Sequence, residues 1–160
     1  MKLPVTVATR SARGTARVAA RLAETLEGGE VVGLFGDLGA GKTVFARGLA
    51  RALGVPESVP VSSPTFTMMN VLPGRVPMYH LDLYRVGDAE ELLAIGFLDL
   101  LGGPGVVVVE WPERGQGVLP DDLISVVFRD LGANARELTV QRGWPTDLET
   151  RAGAGPTGAQ

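Results

Sequence analysis

The sequence predicts an α/β fold of three layers, with a mostly parallel central sheet and an antiparallel strand pair. Three stretches support this prediction. Residues 31–53 join a short apolar run to an amphipathic helix through a glycine-rich loop. The valine run 106–110 is the most β-like segment of the chain and is the expected central strand. The segments 122–129 and 136–141 alternate in polarity and are expected to form the antiparallel pair.

The glycine-rich loop 36–43 reads GDLGAGKT and matches the phosphate-loop pattern G-x-x-x-x-G-K-[ST]. The buried-type strand 31–35 precedes it, and a helix predicted for 43–53 follows. This order matters because phosphates bind to the N–H groups of such a loop and to the helix N-terminus. The sequence therefore predicts a nucleoside-triphosphate site and a P-loop NTPase-like fold. The candidate binding residues are Gly36, Asp37, Leu38, Gly39, Ala40, Gly41, Lys42 and Thr43.

Composition bounds the classes of function. A length of 160 residues suits one domain, expected over 1–144, and the Gly/Ala/Thr/Pro-rich stretch 145–160 is predicted to be disordered. The net charge of −3 argues against broad affinity for nucleic acid. No apolar run reaches the roughly 18–20 residues of a membrane span, and the absence of cysteine excludes thiol chemistry. We expect a cytoplasmic protein.

The N-terminal part is predicted to form an edge strand over 2–8 and a helix that Ser11 or Thr9 caps and that runs to about Leu26. Its apolar stripe is Val18, Ala19, Leu22 and Leu26. A row of arginines occupies the other side, namely Arg10, Arg13, Arg17 and Arg21. We interpret this row as a solvated face, with a partner or phosphate surface as the alternative.

The middle of the chain predicts a hairpin and a second helix. The segments 66–72 and 76–84 are apolar and are joined by the turn-forming tripeptide 73–75. Asp88 is the expected cap of the second helix, with Glu91 at the capping-box position. The apolar face of this helix is expected to consist of Leu92, Leu93, Ile95, Phe97 and Leu98.

Two carboxylates are candidates for chemistry. Glu110 ends the valine strand, where ligands of open α/β sheets collect, and could hold Mg²⁺ together with the hydroxyl of Thr43. The alternative for Glu110 is a local hydrogen bond. Asp82 is a candidate second contact to Mg²⁺ or an orienter of attacking water. His80 shares its strand face, but as the only histidine it is interpreted as structural, and zinc is not expected.

Three further features admit more than one interpretation. The hydroxyl-rich segment 62–65 is either a turn or a switch loop that senses the terminal phosphate. Trp111 suits core packing, a nucleotide-adjacent aromatic or a partner anchor. Arg114 and Arg136 are candidate phosphate or partner contacts, with a surface role as the default.

Together, GDLGAGKT, SPTFT, YHLDLYR and VEWPERG resemble the bacterial TsaE (YjeE) family in order and spacing, over about residues 11–140. The H-x-D-L-Y-R and E-W-P combination is far more specific than the phosphate loop. The resemblance implies an ATPase that binds ATP and Mg²⁺ and joins the TsaB–TsaD pair in making threonylcarbamoyladenosine in tRNA. It implies contact with tRNA only through that complex.

The resemblance also implies roles for residues. Lys42 and Thr43 would hold phosphate and metal, and Glu110 would be a metal ligand. Asp82 and Trp111 match active-site positions. The remaining matches are Thr65 in the switch-like loop, Thr15 near the nucleotide and Arg136 as the late arginine of the final strand pair. The candidate catalytic set is thus Lys42, Thr65, Asp82, Glu110 and Trp111.

Alternative functions remain open on the sequence. A small-molecule kinase of the same fold would use an arginine-rich lid, and no arginine cluster follows Trp111. An ATP-gated binding module with little hydrolysis is a further alternative. A GTPase is disfavoured because the chain lacks the guanine-reading N-K-x-D pattern.

Overall fold

The computed structural model describes residues 1–37, 39–64 and 67–146. Within these residues seven strands form one sheet, and four α-helices and a short 3₁₀ helix connect them. The strands are β1 (Val5–Thr9), β2 (Val31–Phe35), β3 (Met69–Leu72), β4 (Met78–Asp82), β5 (Val106–Glu110), β6 (Ile124–Gly132) and β7 (Ala135–Arg142). The helices are α1 (Ala12–Ala23), α2 (Lys42–Ala52), α3 (Ala89–Ala94) and α4 (Phe97–Leu100), with the 3₁₀ helix at Pro112–Gly115.

The sheet is parallel at its centre and antiparallel at both sides. Its order is β1-β7-β6-β2-β5-β4-β3, and β2 runs parallel to both β5 and β6, as does β4 to β5. The pairs β6–β7, β1–β7 and β3–β4 are antiparallel. The predicted α/β class with a mostly parallel centre is therefore confirmed. The predicted edge strand is β1, the predicted hairpin is β3–β4, and the predicted closing pair is β6–β7.

Helices cover both faces of the sheet, which gives the three predicted layers. On one face, α1 and α2 pack against β2 and β6 through residues such as Leu22, Phe45 and Leu49. On the other, α3 and α4 pack against β5 through Leu92 and Phe97. The strands alternate side chains between the two cores, and β2 and β5 are buried along their whole length.

The first helix forms largely as predicted. Ser11 is its N-cap, and the Ser11 hydroxyl accepts a hydrogen bond from the Gly14 N–H at 3.0 Å. The helix ends at Ala23, three residues before the predicted end. Arg13, Arg17 and Arg21 are exposed, in agreement with a solvated face. The described residues include no helix long and apolar enough to cross a membrane.

The second predicted helix differs from the prediction. It divides at Gly96, whose φ of 81° is left-handed, into the short helices α3 and α4. Leu92 and Phe97 are buried, but Leu93 and Leu98 are 43% and 56% exposed. The predicted five-residue apolar face was wrong for these two leucines: Leu93 points away from the core on α3, and Leu98 belongs to the separate helix that follows Gly96. The disorder predicted for 145–160 concerns residues that, from 147 onward, lie outside the described part of the chain.

Candidate functional site

The phosphate-loop motif lies between the carboxyl end of β2 and the first turn of α2. Gly39 and Gly41 have φ values of 77° and 101°, a conformation that favours glycine. Gly41 is the residue that caps α2, and the Asp37 carbonyl accepts a hydrogen bond from the Ala40 N–H at 3.1 Å. The loop thus leads directly to the helix N-terminus, as the pattern predicts. Leu38 lies outside the described residues.

Lys42 is buried beside this loop. Its Nζ donates to the Gly36 carbonyl at 2.6 Å and lies 3.6 Å from the centre of the Trp111 ring. Burial lowers the pKa of Lys42 from its ordinary value of 10.5, and the nearby carboxylates, Glu110 foremost, oppose that shift. The ammonium group of Lys42, which is partly removed from water beside the phosphate loop, is suited to pair with an anionic ligand.

The two candidate carboxylates lie side by side. Asp82 ends β4 opposite Glu110 at the end of β5, and their exposed fractions are 6% and 3%. The Thr43 hydroxyl lies 3.4 Å from Oε1 of Glu110. Asp82 is held at both oxygens, with Oδ2 accepting from the Ser63 hydroxyl at 2.5 Å and Oδ1 from the Tyr84 N–H at 2.9 Å. The parallel register of the strands brings these oxygens to the loop.

This donor set fits Mg²⁺. Hydroxyl and carboxylate oxygens are the ligands that a hard divalent cation takes. Among the described residues no group of three His, Cys, Asp or Glu side chains could form a full protein cage. Mg²⁺ commonly uses one or two protein oxygens and completes its shell with water and phosphate, and Thr43 and Glu110 could supply those protein oxygens.

A cavity of about 470 Å³ opens in front of these groups. Half of the predicted site residues line it, and so do Val44, Ser63, Tyr84 and Arg85, none of which the sequence analysis named individually as a site residue. The signals were present in the hydroxyl-rich loop and in the YHLDLYR alternation. The lining residues are Gly39, Gly41, Lys42, Thr43, Val44, Ser63, Asp82, Tyr84, Arg85, Glu110 and Trp111.

Trp111 forms part of the cavity wall. It follows β5 in a left-handed conformation with φ of 57°, and its ring centre lies 5.0 Å from that of Tyr84. The Trp111 ring also contacts Lys42, and both residues line the cavity. The role of Trp111 as a nucleotide-adjacent aromatic stays a prediction.

Of the predicted site residues that the structure describes, Thr15, Gly36, Asp37, Ala40 and Arg136 do not line the cavity. Arg136, on β7, reaches the loop from the other side, with Nη2 3.4 Å from the Gly39 carbonyl and Nη1 3.0 Å from Asp130. Thr15 is buried on α1, and its hydroxyl bonds to that of Thr9 at 3.0 Å. The nucleotide contacts of Thr15 and Arg136 stay predictions. Thr65 lies outside the described residues.

His80 makes a contact that the sequence did not predict. It is fully buried, and its Nε2 lies 2.7 Å from Oε2 of Glu110. Period-two alternation placed His80 on the face of Asp82, but the pairing of β4 with β5 is needed to place it beside Glu110. The interpretation as a structural residue therefore missed its link to the site.

The phosphate loop between a central parallel strand and a helix, within three α/β layers, defines a P-loop NTPase-like protein. Comparison with known proteins narrows this class. A model of the TsaE family, described as "Threonylcarbamoyl adenosine biosynthesis protein TsaE", matches residues 9–138, and the chain belongs to this family.

Relatives support the assignment along most of the chain. A protein of Treponema pallidum is 44% identical over 131 residues, which cover 82% of this chain and 96% of the relative. A protein of Aquifex aeolicus is 38% identical over 143 residues, which cover 89% of this chain and 99% of that relative. Both are named tRNA threonylcarbamoyladenosine biosynthesis protein TsaE. The crystal structure of Bacillus subtilis YdiB is similar with a TM-score of 0.75 and 30% identity, over 96% of this chain and 95% of that one.

Proposed function

We propose that this chain is the Mg²⁺-dependent, ATP-binding and ATP-hydrolysing subunit that serves threonylcarbamoyl modification of adenosine in tRNA. The observation that carries the proposal is the convergence of Lys42, Thr43, Asp82 and Glu110 on one cavity in front of the phosphate loop. Membership of the TsaE family supplies the pathway. Because the proposed function serves the modification of tRNA, we also propose that the protein acts in the cytoplasm.

The loop and Lys42 supply the phosphate-binding part of the site. The N–H groups at the start of α2 would bind the phosphates, as helix N-termini do for anions. Lys42 would exchange the Gly36 carbonyl, its acceptor at 2.6 Å, for a phosphate oxygen. Trp111 beside it limits the access of water to the lysine. Charge pairing in this desolvated place is stronger than at the surface.

Thr43 and Glu110 would hold Mg²⁺, and the ion would neutralise charge on the phosphate oxygens. Asp82 is the candidate to orient the attacking water. Its carboxylate is fixed by the Ser63 hydroxyl and the Tyr84 N–H, so its orientation does not depend on a ligand. To position a water molecule, a site needs a hydrogen-bond acceptor with a fixed orientation, and the Asp82 carboxylate is such an acceptor.

We propose further that hydrolysis is slow in the isolated chain and is coupled to the TsaB–TsaD pair, with tRNA reached only through that complex. This part is supported by the family resemblance. The net charge of −3 also favours indirect contact, because direct RNA binding relies on basic surface.

The test is phosphate release from ATP and Mg²⁺ by the purified full chain, with and without TsaB–TsaD. Lys42→Ala is expected to lose ATP binding. Asp82→Asn and Glu110→Gln are expected to bind ATP and to lose hydrolysis about 100-fold, since each removes a group that acts on the reacting atoms. Glu90→Gln is the matched control, because Glu90 is an exposed carboxylate on α3.

Different results would contradict different parts of the proposal. Normal Mg²⁺-dependent hydrolysis by Glu110→Gln would exclude the metal role of Glu110. Phosphate that appears on a small molecule, without stimulation by TsaB–TsaD, would favour a kinase instead. Full tRNA modification by a variant that cannot hydrolyse ATP would favour an ATP-gated binding module.

A further inference from the structure

His80 lies in the middle of β4 with no solvent-exposed surface, yet it is not satisfied as a core residue. Its Nδ1 atom has no hydrogen-bond partner among the described residues. A buried polar atom without a partner destabilises a fold, and an apolar side chain here would avoid that loss. The imidazole is therefore expected to have a role besides packing, and Glu110 is the polar group that it contacts.

The two carboxylate oxygens of Glu110 face different neighbours. Oε2 lies 2.7 Å from Nε2 of His80, and Oε1 lies 3.4 Å from the hydroxyl of Thr43. A carboxylate without a proton only accepts hydrogen bonds, so this pairing calls for a proton on Nε2 of His80. Within the described part of the chain, His80 is the sole hydrogen-bond partner of Oε2. Loss of this bond would leave Oε2 without a hydrogen-bond partner among the described residues, and the carboxylate would be held only by the longer contact with Thr43.

We propose that His80 is a positioning residue, whose Nε2–H group holds the Glu110 carboxylate with Oε1 turned towards Thr43 and the cavity. This inference rests on the proposed function, in which Thr43 and Glu110 hold the divalent cation. His80 does not line the cavity and acts only through Glu110. Loss of a group that orients a metal ligand typically lowers metal affinity about 10- to 100-fold.

The hydrogen bond itself can be tested without any ligand. His80 is the only histidine in the 160 residues, so ¹⁵N-labelled histidine gives a single imidazole spin system in NMR spectra. We expect a proton on Nε2 and none on Nδ1, slow exchange of the Nε2 proton, and a clear change of the Nε2 signal in Glu110→Ala. A proton on Nδ1 alone, or an unchanged spectrum in Glu110→Ala, would overturn the proposal.

Two amide variants separate positioning from packing. In His80→Gln the side-chain NH₂ group can reach the place of Nε2, whereas in His80→Asn it ends near the place of Nδ1. The probe is Mn²⁺ with a non-hydrolysable ATP analogue, and free Mn²⁺ is measured by electron paramagnetic resonance. We expect His80→Asn to bind Mn²⁺ about 10- to 100-fold more weakly and His80→Gln to recover most of the affinity.

Melting temperatures and circular dichroism establish that both variants fold. Wild-type affinity in folded His80→Asn, or equal losses in folded His80→Asn and His80→Gln, would contradict positioning. The Mn²⁺ affinity of Glu110→Gln tests the proposed function separately from the role of His80. If that variant binds Mn²⁺ as the wild type does, the metal role of Glu110 is wrong, while the NMR spectrum still decides whether His80 holds the carboxylate.

Discussion

Lys42 illustrates how a single residue can serve the site at the expense of the fold. Lys42 is buried at the wall of the cavity, with 5% of the residue exposed. The lowered pKa of Lys42 means that the charged form is less stable in the folded chain than in water, although Glu110 and Asp82 offset part of this loss. Binding sites commonly retain such groups because function requires them.

We predict that Lys42→Met stabilises the nucleotide-free protein and abolishes nucleotide binding. Methionine keeps much of the side-chain volume and removes the buried charge. The folded pKa of Lys42 lies below the value of 10.5 expected for the unfolded chain. Between these two values the unfolded chain binds more protons, so wild-type stability rises with pH. The stability advantage of Lys42→Met should therefore shrink as the pH rises towards 10.5.

The measurement is the melting temperature of the nucleotide-free wild type and variant between about pH 7 and 10, the range set by the lysine titration. Lys2→Met is the matched control, because Lys2 is the only other lysine and is exposed. A lower melting temperature of Lys42→Met at pH 7 would show that attraction by the carboxylates outweighs desolvation.

At the level of elements, the apolar periodicity of the sequence did not predict which side chains of the short helices α3 and α4 are buried. Adjacent leucines of α3 have opposite environments, with Leu92 fully buried and Leu93 43% exposed. Leu92 belongs to the core beneath the helix, whereas Leu93 points away from that core. The left-handed Gly96 then ends α3 and redirects the chain into α4, which leaves Phe97 buried and Leu98 exposed.

We predict a large difference between two neighbouring truncations in α3. Leu92→Ala should lower the free energy of unfolding by about 2–5 kcal/mol, because it leaves a cavity in the core beneath the helix. Leu93→Ala should change it by less than about 0.5 kcal/mol, as surface substitutions usually do. Urea titration of both variants provides the measurement. If both variants lost the same free energy of unfolding, Leu93 would have to be packed in the core, which contradicts its exposure in this structure.

Local signals in the sequence predicted those elements that depend on local physics. The phosphate loop predicted its strand and helix, Ser11 predicted a helix start, and the tripeptide 73–75 predicted a hairpin turn. The exposure of Leu93 could not be predicted, because an apolar residue carries no information about whether another layer covers it. The end of α1 was also misplaced, since Leu26 is buried although the helix ends at Ala23.

For the whole molecule, the site depends on strand order rather than on any one motif. β5 lies between β2 and β4, so Glu110 is next to both the phosphate loop and Asp82. The sequence predicted that Thr43 and Glu110 meet, because parallel strands place their carboxyl ends at one edge. The contact of His80 with Glu110 required the register of β4 on β5, which no local pattern reveals.

Because its residues come from distant parts of the chain, the site exists only in the folded protein. The residues that line the cavity range from Gly39 to Trp111 in the chain and lie at the ends of β2, β4 and β5 or in the segments that follow them. A ligand that binds only the folded state stabilises it by mass action, by about 2.7 kcal/mol at 100 times its dissociation constant. For a domain of this size each kcal/mol raises the melting temperature by about 2–4 °C.

We therefore predict that saturating ATP with Mg²⁺ raises the melting temperature by about 5–10 °C. Thermal scans should compare this mixture with Mg²⁺ alone and with ATP plus a chelator, and the shift should be much smaller in both. Lys42→Met should show no ATP-dependent shift, although its nucleotide-free form melts higher. An equal shift with Mg²⁺ alone would indicate a cation site independent of phosphate, and would contradict a site in which Thr43 and Glu110 complete their metal shell with a nucleotide.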